Sequence, residues 1–354
     1  MKVVDADEKI YWSDSVETHL LQWIQQRNYS EVFVLMDENS YRFCSSSLKQ
    51  LIKEDHTFVI PSGEESKSLS TCNFIWEKLL HSNADNQALL VNVGGGMVTD
   101  LGGFCASVYK RGIDYVNIPT TLLAFIDASV GGKTAIDFEG VKNAIGSFSK
   151  PEATLLFPGF LNTLPERQLK SGFAEMLKHA LLAGGEMYER LFHPEFLYSL
   201  INGKDIVSSI RFKASIVKAD FMEKGIRRQL NLGHSLGHAF ESLFIYKNKP
   251  MLHGEAIAAG LLAEAYISTL HEALDPVYLE ILTPTLKHLF KWHGIEADEL
   301  PKLFTFLSQD KKNSHTSLQF VLIRKPGDWF VSSMVKPVEI EKAIDWLNKL
   351  SDNE

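Results

Sequence analysis

Five short apolar runs in the first half of the chain constrain its fold more than any other feature. They are EVFVLMD at 31–37, TFVIP at 57–61, ALLVNVGGG at 88–96, YVNIPTT at 115–121 and ATLLFP at 153–158. Runs of this length, rich in Val, Ile and Leu and bounded by Gly, Pro or Asp, are typical of buried strands in a mostly parallel sheet. Because the periodic segments between them supply crossover helices, they predict an α/β domain.

The chain after about Pro165 has helical periodicity with few strand signals. Its helical segments include ERQLKSGFAEMLKHALLAG at 166–184, DIVSSIRFKASIVKADF at 205–221, GEAIAAGLLAEAYISTL at 254–270 and VEIEKAIDWLNKLS at 338–351. The run SLQFVLIRK at 317–325 indicates one β element. The sequence therefore predicts two domains, an α/β domain at 1–165 and an all-α domain at 166–354.

Composition excludes several classes of partner. A formal net charge of -8 over 354 residues argues against a general nucleic-acid binder, which needs a basic surface. The three cysteines are widely spaced without a C-x-x-C pair, which favours a reducing compartment over a disulfide framework or a thiolate zinc site. The first residues lack the apolar core of a signal peptide, and no segment approaches the length of a membrane span. We therefore expect a cytoplasmic protein with neither nucleic acid nor membrane as a partner.

Three histidines predict a metal site in the helical half. His234 and His238 in NLGHSLGHAFES are four residues apart, so a helix places both on one face, and Glu241 continues that stripe. His253 follows in MLHGEA at the start of a predicted helix, where the positive helix terminus favours a neutral imidazole. Imidazoles aligned on a half-buried helix indicate a divalent metal, and two His with one carboxylate indicate a catalytic site.

Glu175 is the candidate carboxylate for this site. It shares a helix face with Lys178, and the ordinary interpretation of such a pair is a surface ion pair. Likewise, a histidine at a helix start is ordinarily a cap. Because apolar neighbours bury the predicted helix, the carboxylate of Glu175 needs a partner, which a metal ion supplies.

Glycine-rich and basic segments predict anion binding. Gly94, Gly95 and Gly96 follow a strand and open a helix, which suits a pyrophosphate, although the G-x-G-x-x-G fingerprint is absent and a ligand-free turn is an equal alternative. Lys133 lies between a glycine pair and Thr134, a context that favours a phosphate. Further candidates in nearby segments are Glu64, Lys67, Thr120, Thr121, Asp127, Lys142 and Asn143. Lys213, Arg227 and Asn231, close to the histidines in sequence, indicate a substrate with a carboxylate or phosphate.

Together these segments resemble the 3-dehydroquinate synthase family of the sugar phosphate cyclase superfamily. The matching stretches run in the family's order from about Glu64 to Lys312, and include GGGMVTDLGGF, IPTTLLAFIDASVGGKTAID, GFAEMLKHAL, RRQLNLGHSLGHAFES and LHGEA. The resemblance implies a Rossmann-like NAD-binding domain followed by a helical metal- and substrate-binding domain. It implies conversion of 3-deoxy-D-arabino-heptulosonate 7-phosphate to 3-dehydroquinate and phosphate, a lyase step of the shikimate pathway to chorismate and the aromatic amino acids.

The resemblance also implies a role for each site residue. The ligands of one divalent metal, zinc or cobalt, would be Glu175, His234 and His253, which leaves His238 for the substrate. NAD would be held by Asp37, Glu64, Lys67, Gly95, Gly96, Met97, Val98, Thr99, Asp100, Thr120, Thr121, Lys133, Lys142, Phe160, Leu161, Asn162 and Thr163. Substrate would meet Asp127, Lys133, Asn143, Lys178, Lys213, Arg227, Asn231 and His238, with Arg111 from the partner subunit of a homodimer and either Lys311 or Lys312.

The chain departs from the family pattern at three positions. Ala128 replaces a serine, Ala135 a glycine and Asp137 an asparagine, all outside the implied ligands.

Three rival interpretations of the function remain. A sister cyclase such as 2-deoxy-scyllo-inosose synthase is the nearest rival, but a substrate without a carboxylate would leave a buried arginine unpaired. A metal-dependent alcohol dehydrogenase of similar build would not need the phosphate-binding set. A non-catalytic NAD-binding regulator predicts lost metal ligands, and all three are present.

Overall fold

A computed structural model describes residues 1–139, 141–196, 198–309 and 318–351 of the chain. It divides into two compact units. The first comprises Met1–Leu169 with Lys213–Met222, and the second comprises Lys170–Phe212 with Glu223–Glu354. Among the described residues, no helix combines the length and the apolar character that a membrane span requires.

The first unit is built on a seven-stranded sheet in the order β1-β2-β9-β6-β5-β3-β4. Its strands are β1 (Lys2–Asp5), β2 (Ile10–Trp12), β3 (Val32–Asp37), β4 (Thr57–Ile60), β5 (Leu89–Gly94), β6 (Asp114–Pro119) and β9 (Ala153–Leu156). All neighbours pair in parallel except β1 and β2. The helices of the unit are α1 (Val16–Gln25), α2 (Glu38–Cys44), α3 (Leu69–His81) and α4 (Gly96–Val108). The α/β prediction and its five strands are thus confirmed, whereas β1 and β2 were not predicted.

Both faces of this sheet are buried, which explains the unbroken apolar runs. Along β3, Phe33 and Leu35 join a core with α3 and α4, whereas Val34 and Met36 join a second core with α1 and α2. Successive side chains of a strand point to opposite faces, so a strand that is covered on both sides is apolar at nearly every position. The apolar runs therefore mark the five adjacent parallel strands from β9 to β4.

The segment that contains Lys133, Lys142 and Asn143 forms a β-hairpin that was not predicted. Strands β7 (Lys133–Phe138) and β8 (Val141–Phe148) pair antiparallel in a two-stranded sheet of their own. Lys133 pairs with Phe148 at one end, and Phe138 pairs with Val141 at the other. The hairpin was missed because its glycines, lysines and threonine were interpreted only for their chemistry.

The second unit is helical, as predicted, with one hairpin. Its helices are α5 (Glu166–Ala183), α6 (Gly185–Leu191), α7 (Gly203–Ala219), α8 (His234–Tyr246), α9 (His253–Leu270), α10 (Val277–Lys287), α11 (Leu300–Gln309) and α12 (Pro337–Ser351). The ends of α5 and α7 that contain Glu166–Leu169 and Lys213–Ala219 group with the first unit. Strand β10 (Phe320–Lys325) confirms the predicted β element, and it pairs with β11 (Asp328–Ser332). The second unit is therefore helical with one β-hairpin, of which β10 was predicted and β11 was not.

Candidate active site

The predicted NAD-binding residues of the first unit collect at one edge of the sheet. Asp37 ends β3, Thr120 follows β6, and the turn Pro158–Thr163 follows β9. Glu64 and Lys67 follow β4, and Gly95 follows β5. Because these five strands are parallel, all the residues lie at their carboxyl ends. The chain turns from β4 back to β5 on the other side of β3, and ligands of such sheets bind at this switch point.

The glycine turn after β5 brings a helix start close to that edge. Helix α4 has Gly95 at its N-cap, and no side chain caps it from this position. A Cβ on Gly95 would lie 3.2 Å from Thr121 Cγ2, and one on Gly96 would lie 3.1 Å from the Ala128 side chain. The glycines therefore have a packing role as well as a conformational one. They leave the first backbone N–H groups of α4 as donors suited to a pyrophosphate.

A buried lysine links three of the predicted site residues. Lys67 Nζ donates to Asp100 Oδ2 at 2.7 Å and to Asn143 Oδ1 at 2.6 Å, and Glu64 Oε1 lies 3.8 Å away. Burial alone would lower the pKa of Lys67, but the carboxylates of Asp100 and Glu64 outweigh burial and raise it. Burial raises the pKa of Asp100, against the opposing effect of Lys67. The lysine therefore carries its charge at neutral pH.

Asn143 is held in an unusual backbone conformation. Its φ angle is 51°, in the left-handed region, and its backbone N–H donates to Asp137 Oδ1 at 2.7 Å. The backbone N–H of Asp137 in turn donates to Lys67 O at 2.8 Å. The departure from the family pattern at Asp137 thus keeps an acceptor in place, because a carboxylate oxygen accepts as an amide oxygen does.

Lys213 and Asp127 form a further charged pair among the predicted site residues. Lys213 Nζ donates to both Asp127 O and Asp127 Oδ1 at 2.6 Å. Lys213 is buried, and Asp127 lies in the π-helical turn Ala124–Ala128. Lys133 is exposed at the start of β7, whereas Lys142 lies near the turn at the other end of the hairpin. The structure therefore brings Lys213 to Asp127, but it places Lys133 and Lys142 at opposite ends of one element.

Arg111 lies far from the glycine turn of its own unit. It is exposed, with a φ of 72°, in a turn that follows the C-terminal end of α4. Helix α4 has 13 residues, so about 20 Å separates its two ends. The turn leads directly into β6, at the amino ends of the parallel strands and opposite to Gly95.

The predicted metal ligands of the second unit converge. Glu175 Oε1 lies 3.5 Å from His234 Nε2 and 3.5 Å from His253 Nε2. Donors about 2.1 Å from a common tetrahedral ion are separated by about 3.4 Å, so these spacings are those of ligands around an ion. The other carboxylate oxygen, Oε2, pairs with Lys178 Nζ. Glu175 is fully buried, and its two oxygens lie close to His234, His253 and Lys178.

A second layer of contacts orients the two imidazoles. His234 Nδ1 lies 3.1 Å from Leu232 O, an arrangement that places the proton on Nδ1 and the lone pair on Nε2. His253 Nδ1 lies 3.7 Å from Glu241 Oε2. Burial alone would lower the pKa of His253, but the nearby carboxylates of Glu175 and Glu241 raise it to about 9. Without a metal ion, the two carboxylates thus outweigh the helix terminus from which a neutral His253 is predicted.

His238 lies beside the two other histidines. One ring nitrogen from each of His234, His238 and His253 falls within 4.8 Å of the others. The ring centroid of His238 is 5.2 Å from that of His234 and 5.7 Å from that of His253. His238 is thus close enough to share the site, and the choice between ligand and substrate contact stays a prediction.

The turn Ile226–Asn231 contains two adjacent arginines that the sequence alone could not distinguish. Arg227 is almost completely buried, whereas Arg228 is exposed. Asn231 Nδ2 donates to Glu223 Oε1 at 3.0 Å. A buried guanidinium is suited to bidentate recognition of a carboxylate, and an exposed one is ordinarily solvated. The predicted contacts Lys311 and Lys312 lie outside the described residues.

Sequence reasoning missed the roles of two residues. Glu241 was interpreted as part of the histidine stripe, but it faces Nδ1 of His253 from a different helix. Asp137 was noted only as a departure, but it fixes Asn143. The signal for Glu241 was its spacing of seven residues from His234, which keeps it on the polar face of α8.

Comparisons with solved structures define the class of fold. The chain is similar to 2-epi-5-epi-valiolone synthase from Streptomyces hygroscopicus subsp. jinggangensis with NAD+ and Zn2+ bound (25% identity, TM-score 0.83, 100% of this chain and 99% of that chain). It is also similar to 2-deoxy-scyllo-inosose synthase complexed with carbaglucose-6-phosphate, NAD+ and Co2+ (22% identity, TM-score 0.81, 95% and 96% covered). The fold is therefore dehydroquinate synthase-like.

Sequence comparisons give the family within that class. Residues 57–171 match the model of the 3-dehydroquinate synthase N-terminal family, and residues 172–313 match that of the C-terminal family. The 3-dehydroquinate synthase of Parabacteroides distasonis is 35% identical over 349 residues, covering 96% of this chain and 98% of the relative. That of Leptospira interrogans is 39% identical over 307 residues, with 84% and 83% covered. The chain belongs to the 3-dehydroquinate synthase family.

Proposed function

We propose that this chain converts 3-deoxy-D-arabino-heptulosonate 7-phosphate to 3-dehydroquinate and phosphate with NAD and one divalent ion, Zn2+ or Co2+. The observation that carries the proposal is the position of Glu175 Oε1, 3.5 Å from Nε2 of both His234 and His253, in a member of this family. Relatives with 35–39% identity bear the name of this activity. Two solved structures of the same fold hold NAD+ with Zn2+ or Co2+, which supports both cofactors.

The metal centre is assigned to residues of the second unit. Glu175, His234 and His253 hold the ion, and His238 meets the substrate and its water. Leu232 O fixes the tautomer of His234, and Lys178 neutralises the carboxylate oxygen of Glu175 that faces away from the imidazoles. When bound, NAD supplies a reversible hydride acceptor and the ion supplies a Lewis acid for the hydroxyl that is oxidised.

Cationic side chains bind and orient the anionic substrate. Arg227 binds the carboxylate, because its guanidinium is buried and offers a fork of N–H donors. Lys178, Lys213 and Asn231 orient the hydroxyls as hydrogen-bond donors. Lys213 is pre-positioned for this by two contacts with Asp127. A fixed donor loses less side-chain entropy on binding than a mobile lysine does.

The phosphate group is assigned to Lys133, Asn143 and an arginine of a second copy of the chain. Arg111 lies about 20 Å from the glycine turn of its own unit, at the opposite end of α4. Arg111 is exposed and lies at the amino ends of the parallel strands, opposite to Gly95. Both features support a contribution from the partner subunit of a homodimer.

The carboxyl edge of the large sheet holds NAD. The pyrophosphate meets the first N–H groups of α4 at Gly95 to Asp100, and Asp37 and Glu64 accept from the ribose hydroxyls. Lys67, Thr120, Thr121, Lys133, Lys142 and the turn Phe160 to Thr163 complete the set. In this assignment the first unit is the NAD-binding domain, and the second holds the metal.

The direct test is an assay with the heptulosonate phosphate, catalytic NAD and Zn2+ or Co2+, which follows phosphate release and carbocycle formation together. We expect both products in equal amounts without accumulation of NADH. A matched pair of variants tests substrate recognition. Arg227→Lys should raise KM for the heptulosonate phosphate by about tenfold or more, because one fork of charged hydrogen bonds is lost, and Arg228→Lys should not.

The rival functions predict different outcomes in the same assay. A sister cyclase would turn over a sugar phosphate without a carboxylate, such as glucose 6-phosphate, in preference to the heptulosonate phosphate. An alcohol dehydrogenase would accumulate NADH in proportion to turnover. A regulator would bind NAD without any product. Each of these results would refute the proposed activity.

A further inference from the structure

A fully buried carboxylate in α9 belongs to none of the residue sets assigned above. Glu264 has no exposed surface, and it lies in a helix otherwise made of Ala, Gly, Leu and Ile at this point. A carboxylate removed from water costs several kcal/mol unless hydrogen bonds and opposite charge compensate it. Its contacts therefore indicate what it stabilises.

Glu264 accepts hydrogen bonds from the start of the neighbouring helix α8. Its Oε2 accepts from Gly233 N at 2.6 Å, and its Oε1 accepts from Leu236 N at 3.2 Å. Gly233 is the N-cap of α8, and Leu236 is its third residue. In a capping box two local side chains satisfy these two N–H groups, but glycine has no side chain and leucine has no acceptor. The carboxylate of Glu264 takes the place of both capping side chains, and its charge also faces the positive end of α8.

Glycines allow this carboxylate to reach the helix start. Gly233 has a φ of 77°, and a Cβ on it would lie 3.0 Å from Leu261 N. A Cβ on Gly260 would lie 2.0 Å from Gly233 O, so any side chain there would force the helices apart. Glu264 is one turn after Gly260 on the same face of α9. The close crossing thus directs its side chain onto the first turn of α8.

The capped turn is the one that presents a proposed metal ligand. His234 is the first residue of α8, between the two peptide groups that Glu264 holds. Its Nδ1 contact with Leu232 O depends on the same stretch of backbone. We propose that Glu264 is a positioning residue of the metal centre, which fixes the first turn of α8 so that His234 Nε2 faces Glu175. This inference rests on the metal centre proposed above.

The test compares two buried carboxylates of the second unit. Glu264→Gln keeps one acceptor but turns an NH2 group towards a backbone donor and removes the charge. Asp205→Asn is the matched control, because Asp205 is also buried and accepts from Asn202 N at 3.0 Å, at the start of α7. Zn2+ affinity is measured by competition with a chromophoric chelator, and thermal unfolding is recorded for each protein. We expect Glu264→Gln to weaken Zn2+ binding by about 10- to 100-fold. Asp205→Asn should lower the unfolding temperature without changing Zn2+ affinity.

Two outcomes separate this inference from the proposed function. If the wild-type chain binds Zn2+ and Glu264→Gln binds it equally well, the positioning role is refuted and the metal centre stands. If the wild-type chain binds no Zn2+, the metal centre is refuted together with the inference. Amide exchange in the wild-type protein gives a measurement that does not depend on the folding of a variant. The N–H groups of Gly233 and Leu236 should be among the slowest to exchange, and exchange within minutes would overturn the cap.

Discussion

Substitution of Gly254 by alanine tests the metal centre without changing a ligand. Gly254 is the second residue of α9 and directly follows His253. A Cβ at this position would lie 1.9 Å from Ser171 O and 2.6 Å from Ser171 Cα, both backbone atoms of α5. Ordinary van der Waals contact begins at 3.4 Å, so the two helices would have to separate by about 1.5 Å. A helix backbone cannot yield as a flexible side chain does.

The displacement acts directly on the ligand spacing. Ser171 is one turn before Glu175 on α5, and the Glu175 Oε1 to His253 Nε2 distance is 3.5 Å. Metal–ligand bonds tolerate deviations of about 0.2 Å, so a shift of this size removes one ligand. We expect Gly254→Ala to weaken Zn2+ binding by at least about 100-fold, which is about 2.7 kcal/mol. Overpacking should lower the free energy of unfolding by a further ~1–3 kcal/mol.

Titration calorimetry with Zn2+ and thermal unfolding measure the two effects separately. Ser171→Ala is the matched control, because Ser171 Oγ accepts from Gly254 N at 3.1 Å. That variant removes the hydrogen bond at the same contact and should cost about 1–3 kcal/mol of stability without separating the helices. Unchanged Zn2+ affinity in Gly254→Ala, or an equal loss in Ser171→Ala, would refute the steric reasoning.

Three further predictions concern single side chains. His253→Ala should lose Zn2+ binding and turnover together while its circular dichroism stays that of the wild type, and normal kinetics in that variant would overturn the ligand assignment. The pKa of His253 is about 9, above the ordinary 6.5. Zn2+ must therefore displace a proton, so its apparent affinity should fall about tenfold per unit as pH falls below 9. Calorimetry of Zn2+ binding at pH 7 in buffers of different ionisation enthalpy should detect the released proton. Zn2+ binding without proton release would contradict the raised pKa of His253. Without metal, the pairing of protonated His253 with Glu175 and Glu241 stabilises the fold fully below pH 6.5. This contribution to stability is lost as pH rises through 9. Asp137→Ala should raise KM for the heptulosonate phosphate by about tenfold because Asn143 loses its acceptor, whereas Asp137→Asn should not, as measured by steady-state kinetics.

Much of the first unit could be predicted because its central strands are buried on both faces. Apolar runs such as LLVNV at 89–93, which is rich in Leu and Val and bounded by Gly94, are typical of such strands. The hairpin of β7 and β8 could not be predicted in the same way. Its residues are largely half-buried or exposed, so no apolar pattern marks it, and the glycines near Lys133 suggested a loop. Strand β2 has three residues, too few for periodicity.

The site was predictable to the extent that it depends on local spacing. The spacing of four residues from His234 to His238 places both on one face of α8 whatever surrounds them. The contact of Glu241 with His253 depends instead on how α8 crosses α9, and spacing within one helix carries no information about that. For the same reason the rise in the pKa of His253 without metal could not be predicted, since the helix terminus is visible in the sequence and the two carboxylates are not.

The glycines beside the histidines explain how the three ligand-bearing helices come so close. Each histidine of the cluster has a glycine as a direct neighbour: Gly233 precedes His234, Gly237 precedes His238, and Gly254 follows His253. A Cβ on any of the three would lie 3.0 Å or less from the backbone of another helix. Consecutive residues of a helix point about 100° apart, so a glycine that faces the partner backbone turns its neighbour to the side of the contact. The motif therefore specifies two things at once. The imidazoles supply the donors, and the glycines set the separation of the helices, and hence of the donors, at a distance that one ion can bridge.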